Sequence, residues 1–116
     1  MSEIKFVVLG VSNLDQSVAF YRDKAGFELQ GQMEQFAFFR AGGVTLMLNA
    51  GLRRPTGPLA GAMELVIAAS SVTAKFSELK ERGCTFINEP RQVTGDSWAA
   101  TFVDPDDHWL TIFGPK

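Results

Sequence analysis

Side chains able to ligate a metal or exchange protons near neutrality are scarce in this chain. One histidine, His108, and one cysteine, Cys84, stand beside thirteen carboxylates in 116 residues. A catalytic zinc, nickel or iron generally takes three or more His, Cys or carboxylate ligands from facing elements. A site of two histidines and one carboxylate would therefore require both copies of His108 to meet at the axis of a symmetric dimer. Cys84 directly follows the C-terminal end of a predicted helix, where the dipole disfavours a thiolate, so it is no nucleophile. Being single, it forms no intrachain disulfide. Asp104, Asp106 and Asp107 resemble a calcium loop only superficially, because Pro105 makes DPDD a hairpin turn that His108 closes with a hydrogen bond.

Glu64 opens the β-rich run ELVIAA, and strand alternation gives it the same face as Val66 and Ala68. Turned into a cavity, this carboxylate would act as a general base, with Thr111 or His108 as its hydrogen-bonding partner, or would receive a cationic ligand group. At a solvated strand end, or paired with an arginine, it would do neither. Aromatic rings are plentiful: ten phenylalanines, Trp98, Trp109 and Tyr21. Phe36, Phe38 and Phe39 supply both faces of one strand. Rings with a few polar groups suit stacking on flat or cationic ligands, though most aromatics simply fill cores. Trp98 and Trp109, beside Thr111 and the DPDD turn, are the better candidates for contact. Arg40 and the pair Arg53-Arg54 read as solvated surface.

These residues need elements to hold them. Lys5 to Val11 (KFVVLGV) reads as a buried strand, Ser12-Asn13 as a helix cap, and Leu14, Val18, Tyr21 and Ala25 as the apolar stripe of a helix that Gly26 stops. The same grammar returns in ELVIAA, the cap Ser70-Ser71, the stripe Val72, Phe76, Leu79 and the stop Gly83. Val72, Phe76 and Leu79 follow Leu14, Val18 and Tyr21 at a constant offset of 58, half of 116. That is the mark of internal duplication. Strand-like runs follow each helix: Phe27 to Gln32, Gln35 to Ala41 and Val44 to Asn49, then Thr85 to Asn88, Trp98 to Val103 and Trp109 to Phe113.

The expected fold class is thus α+β, two tandem βαβββ modules in one domain of residues 1–116. Module one covers about 1–50 and module two about 62–116. The glycine- and proline-rich stretch 51–61 connects them. A four-stranded sheet with one helix has one face uncovered, so the two curved mixed sheets are expected to enclose a shared cavity, with helices outside.

Eleven basic against thirteen acidic side chains leave a net charge of −2, too little positive field to make nucleic acid a partner. Every apolar run falls short of the ~20 residues that cross a bilayer, so no membrane is expected. The start MSEIKF lacks the basic and apolar regions of a secretory signal, which points to the cytoplasm.

The segments FVVLGVSNLDQSVAFYRDKAGFEL and TFVDPDDHWLTIF resemble the vicinal oxygen chelate superfamily, the fold of glyoxalases, bleomycin-resistance proteins and extradiol dioxygenases. The resemblance covers nearly the whole chain and implies paired βαβββ modules. In the metal-dependent members, four inner strands offer His and Glu ligands. Laid on their pattern, the four positions fall on Phe6, Met47, Glu64 and Thr111, of which Glu64 alone bears a strong oxygen donor. The resemblance therefore implies no metal and no cofactor here. It implies a homodimeric binding protein whose cavity takes a small apolar or aromatic molecule through Phe6, Phe38, Met47, Glu64, Trp98, Trp109 and Thr111. The alternative is a lyase or isomerase that uses Glu64 as catalytic base without a metal.

Overall fold

The computed structural model describes residues 3–52 and 63–116. Most of the 51–61 connection, including Arg53 and Arg54, lies outside the described residues. The chain divides into two compact units, Met1–Gly61 and Ala62–Lys116.

In the first unit β1 (Phe6–Gly10) leads to α1 (Leu14–Ala19), and then come β2 (Glu28–Gln32), β3 (Phe36–Ala41) and β4 (Val44–Asn49). Asn13 caps the helix, its Oδ1 accepting from Gln16 N at 3.0 Å, which satisfies one of the orphan amides of the first turn. The helix does not run to Ala25 as a regular stripe. Over Phe20–Lys24 it widens into a π-turn, with Ala25 N donating to Phe20 O at 2.9 Å. The extra residue per turn lets the sequence neighbours Phe20 and Tyr21 both be buried. The sheet order is β1-β4-β3-β2, with β1 parallel to β4 and the other pairs antiparallel. Leu9, Ala37, Phe39, Leu46 and Leu48 alternate onto the side buried with Val18 and Tyr21. Tyr21 sits in a ring cluster with Phe20, Phe27 and Phe39, at centroid separations of 5.1, 6.2 and 6.0 Å. Gly26 and Gly83, at φ 85° and 91°, end the two helices in the left-handed conformation that glycine adopts without penalty.

The second unit comprises β5 (Glu64–Ala68), α2 (Val72–Glu81), β6 (Thr85–Phe86), β7 (Arg91–Thr94), β8 (Ser97–Val103) and β9 (Trp109–Pro115). Ser71 caps α2, its Oγ accepting from Ala74 N at 3.2 Å. The C-terminal end of β9 reaches this cap: Thr73 N, Thr73 Oγ1 and Ser71 Oγ all donate to the main-chain oxygen of Lys116, at 3.1, 2.7 and 2.8 Å. The sheet runs β5-β9-β8-β6, with β7 also on β8. Here the expected second strand of the module, Thr85 to Asn88, is corrected. It pairs over Thr85 and Phe86 only, and a further strand, β7, resumes along the same neighbour. Pro90 explains the gap, since it has no N–H to give and restricts the residue before it. Across the gap Asn88 Oδ1 takes the N–H of Thr101 at 2.9 Å in place of a main-chain carbonyl.

The fold class is α+β, as the repeat implied, with sheets of four and five strands where it implied four in each. Among the described residues, no helix is long and apolar enough to cross a membrane.

Candidate functional site: two half-exposed sheet faces

Each sheet has one face buried with its own helix and one face that is not. In the first unit, the register places Phe6, Val8, Phe36, Phe38, Arg40, Thr45, Met47 and Asn49 on the second face. Three predicted site residues, Phe6, Phe38 and Met47, thus come together. Met47 stands between Val8 and Phe38 as Cα partner of both, and the rings of Phe6 and Phe38 approach to 6.4 Å between centroids at 58°. Phe6 is 43% exposed and its two companions are half-buried. Apolar side chains left this open cost about 25 cal/mol for each Å² a ligand could cover.

In the second unit the corresponding face carries Glu64, Val66 and Ala68 from β5, Trp109, Thr111 and Phe113 from β9, and Ala99, Thr101 and Val103 from β8. It is more polar at its centre. Thr111 Oγ1 donates to Glu64 Oε2 at 2.5 Å. Since that proton is spent, the 2.7 Å contact between the Thr101 and Thr111 hydroxyls must have Thr101 as donor. Both threonines are buried, whereas Glu64 is exposed. The carboxylate is therefore oriented from behind by a two-hydroxyl relay and faces outward. Val66, Trp109 and Phe113 around it are 59%, 48% and 38% exposed.

Glu64 is exposed at the start of β5, where Thr111 holds its carboxylate. Trp98 does not share a face with Trp109 and Thr111. Its partners are Gly114 and Gln92, which puts it on the side of Ala100 and Phe102, with Lys116 Nζ 4.8 Å above its ring. His108 stays in the turn, its Nδ1 2.7 Å from Asp104 Oδ2. Conversely, Thr101 belongs to the relay although sequence reasoning passed over it. Counting equal steps back from the DPDD turn sets Thr101 opposite Thr111, so the signal was available.

A groove of about 730 Å³ opens at the Arg40 and Thr45 end of the first unit's sheet, around Lys5 and the Gly42-Gly43 turn. None of the predicted site residues lines it.

The family model described as Glyoxalase/Bleomycin resistance protein/Dioxygenase superfamily matches residues 3–112. The chain belongs to that superfamily. Among its relatives, an uncharacterized protein of Mycolicibacterium smegmatis is 30% identical over 114 residues, covering 97% of this chain and 94% of its own. The metallothiol transferase FosB of Staphylococcus haemolyticus is 26% identical over 112 residues, covering 94% and 81%. The solved structure of TnmS3, an antibiotic binding protein from Streptomyces sp. CB03234, superposes with a TM-score of 0.81 at 24% identity, covering 100% of this chain and 98% of that one.

The superfamily resemblance lays the divalent-ion ligand positions of superfamily enzymes on Phe6, Met47, Glu64 and Thr111. These residues do not fit such an ion. Phe6 offers no lone pair, Met47 a soft thioether, Thr111 a neutral hydroxyl already bonded to Glu64, and hard divalent ions want carboxylate or imidazole. Among the described residues, no three His, Cys, Asp or Glu side chains cluster at ligand spacing.

Proposed function

We propose that this superfamily member is a metal-independent, homodimeric binding protein that takes up a small apolar or aromatic molecule on its open sheet faces, in the cytoplasm. The observation that carries the reading is the content of the four ligand positions. Phe6 and Met47 sit in a half-exposed apolar patch with Phe38, and Thr111 and Glu64 are bonded to each other. Such a surface offers contact area and orientation rather than a reactive ion. Sequestration suits it, and the shared fold with an antibiotic binding protein is in keeping.

The test uses 1-naphthalenemethanol, a flat neutral aromatic, titrated into the full chain and followed by calorimetry. Phe38→Ala should weaken binding about tenfold, or ~1.4 kcal/mol, the scale of one lost aromatic contact. Because Phe38 is half-buried, circular dichroism should show the variant folded. Equal affinity for both proteins would contradict a site on this face.

A second reading is favoured by the Thr111–Glu64 hydrogen bond of 2.5 Å. A carboxylate so oriented could remove a proton from a bound substrate, making the chain a lyase or isomerase with Glu64 as base. Turnover of a bound compound that Glu64→Gln abolishes, with binding retained, would establish it.

A further inference from the structure

We propose that the open face of the second unit selects an organic cation: an apolar or aromatic body carrying an ammonium group, which Glu64 receives beside Trp109. The inference rests on the binding function proposed above and adds the charge of the ligand. Four observations on one sheet face support it.

First, Glu64 stands in no ion pair among the described residues, although Arg22, Arg40, Lys75, Arg82 and His108 all have acidic partners. Second, the carboxylate is already fixed. Thr111 holds Oε2, and Thr101 holds the Thr111 hydroxyl, so both buried protons point toward the acid and none toward a ligand. The relay can therefore orient an acceptor but cannot itself donate to an incoming anion. Third, Oε1 has no hydrogen-bond partner among the described residues, which leaves an acceptor facing outward. Fourth, Trp109 is the direct Cα partner of Glu64 in the parallel β5–β9 pair and is 48% exposed. An indole beside a carboxylate attracts a cation through its ring face, where an anion would be repelled by both groups. Val66 and Phe113, further along the same face, provide apolar area for the rest of the molecule.

The first unit shows what is distinctive. At the equivalent register positions Met47 and Phe38 replace Thr111 and Thr101, and Phe6 replaces Glu64. At these three positions one face is apolar, while its counterpart carries two hydroxyls and an oriented negative charge.

The experiment compares three molecules with one naphthalene body: 1-naphthylmethylamine, charged as its ammonium at neutral pH, 1-naphthalenemethanol and 1-naphthoate. Each is titrated into the nitrogen-15-labelled full chain, and the two indole N–H resonances are followed. Trp109 should shift on binding. Trp98, on the other side of the sheet, serves as an internal control. The amine should bind about tenfold more tightly than the alcohol, and the carboxylate most weakly, as expected for a half-exposed charge-assisted contact. Glu64→Gln should remove the advantage of the amine and leave the alcohol unchanged. In the unmodified protein, added salt should shrink the advantage in the same direction, a readout independent of the variant.

Amine and alcohol binding alike, or an amine preference that survives Glu64→Gln, would overturn the inference while leaving the binding function intact. No shift of Trp109 with any of the three would overturn the inference alone, whereas no binding of 1-naphthalenemethanol anywhere on the chain would overturn the binding function as well.

Discussion

Gly114→Ala should unfold the second unit's sheet edge and cost the protein about 4 kcal/mol, at the upper end of what single substitutions do. The reason is the approach of two backbones. A methyl group built on Gly114 would fall deep inside the van der Waals radius of the Ala69 carbonyl oxygen, and within 3.2 Å of the carbon that bears it. Neither atom belongs to a flexible side chain. Relief requires Ala69 to move, and Ala69 N is bonded to Phe113 O at 2.9 Å. The next two residues lead into the Ser71 cap of α2, which is itself tied to Lys116. One added carbon therefore loads the end of β5, the end of β9 and the start of a helix together. Gly43→Ala is the control, since a methyl there meets nothing within 4 Å. Urea denaturation should show Gly114→Ala shifted to a much lower midpoint, or already unfolded, and Gly43→Ala within about 0.5 kcal/mol of the parent. Similar midpoints for the two variants would mean that the strands do not approach as described.

Asp104→Ala should cost about 3 kcal/mol, through the loss of several hydrogen bonds to one buried charged group. Asp104 is only 3% exposed. Its Oδ1 accepts from Asp106 N and His108 N at 2.9 and 2.8 Å, and its Oδ2 lies 2.7 Å from His108 Nδ1. The side chain thus closes the β8–β9 turn, in which Asp107 takes a positive φ of 65°. This turn sets the register that puts Thr101 opposite Thr111 and Val103 opposite Trp109. Asp104→Asn, which keeps an oxygen for the two backbone amides, should lose about half as much. Thermal unfolding of the three proteins in one buffer measures the series. An alanine variant as stable as the parent would show that Pro105 and the strands hold the turn unaided.

The repeat was legible because its signals are local. A capping Asn or Ser, an apolar stripe and a stopping glycine appear twice at one spacing, and each acts over a single helix. The apolar content of Phe6, Phe38 and Met47 was legible for the same reason, since alternation along β1, β3 and β4 is regular and the tight Gly42-Gly43 turn fixes their pairing. The second unit was harder where regularity breaks. Pro90 splits an edge strand, and β7 shows all four residues exposed, so no burial alternation announces it. Trp98 was assigned by nearness in sequence to the turn, whereas face depends on parity: Trp98 lies three residues from Thr101 and therefore on the other side. For Glu64 both a place turned into a cavity and a solvated strand end stayed open, because alternation fixes its face and not what covers it. Its exposure depends on how far apolar neighbours close over it, which is a property of packing and not of alternation. The widened turn after α1 left no mark that periodicity can detect, since Leu14, Val18 and Tyr21 are buried either way.

On the proposed binding function, aromatic side chains, not an ion, hold the ligand. This is tested most directly by titrating 1-naphthalenemethanol into protein stripped with a chelator, then repeating the titration after adding manganese, nickel or zinc. One affinity throughout is the expected result. Binding that appears only when a divalent ion is restored would contradict it.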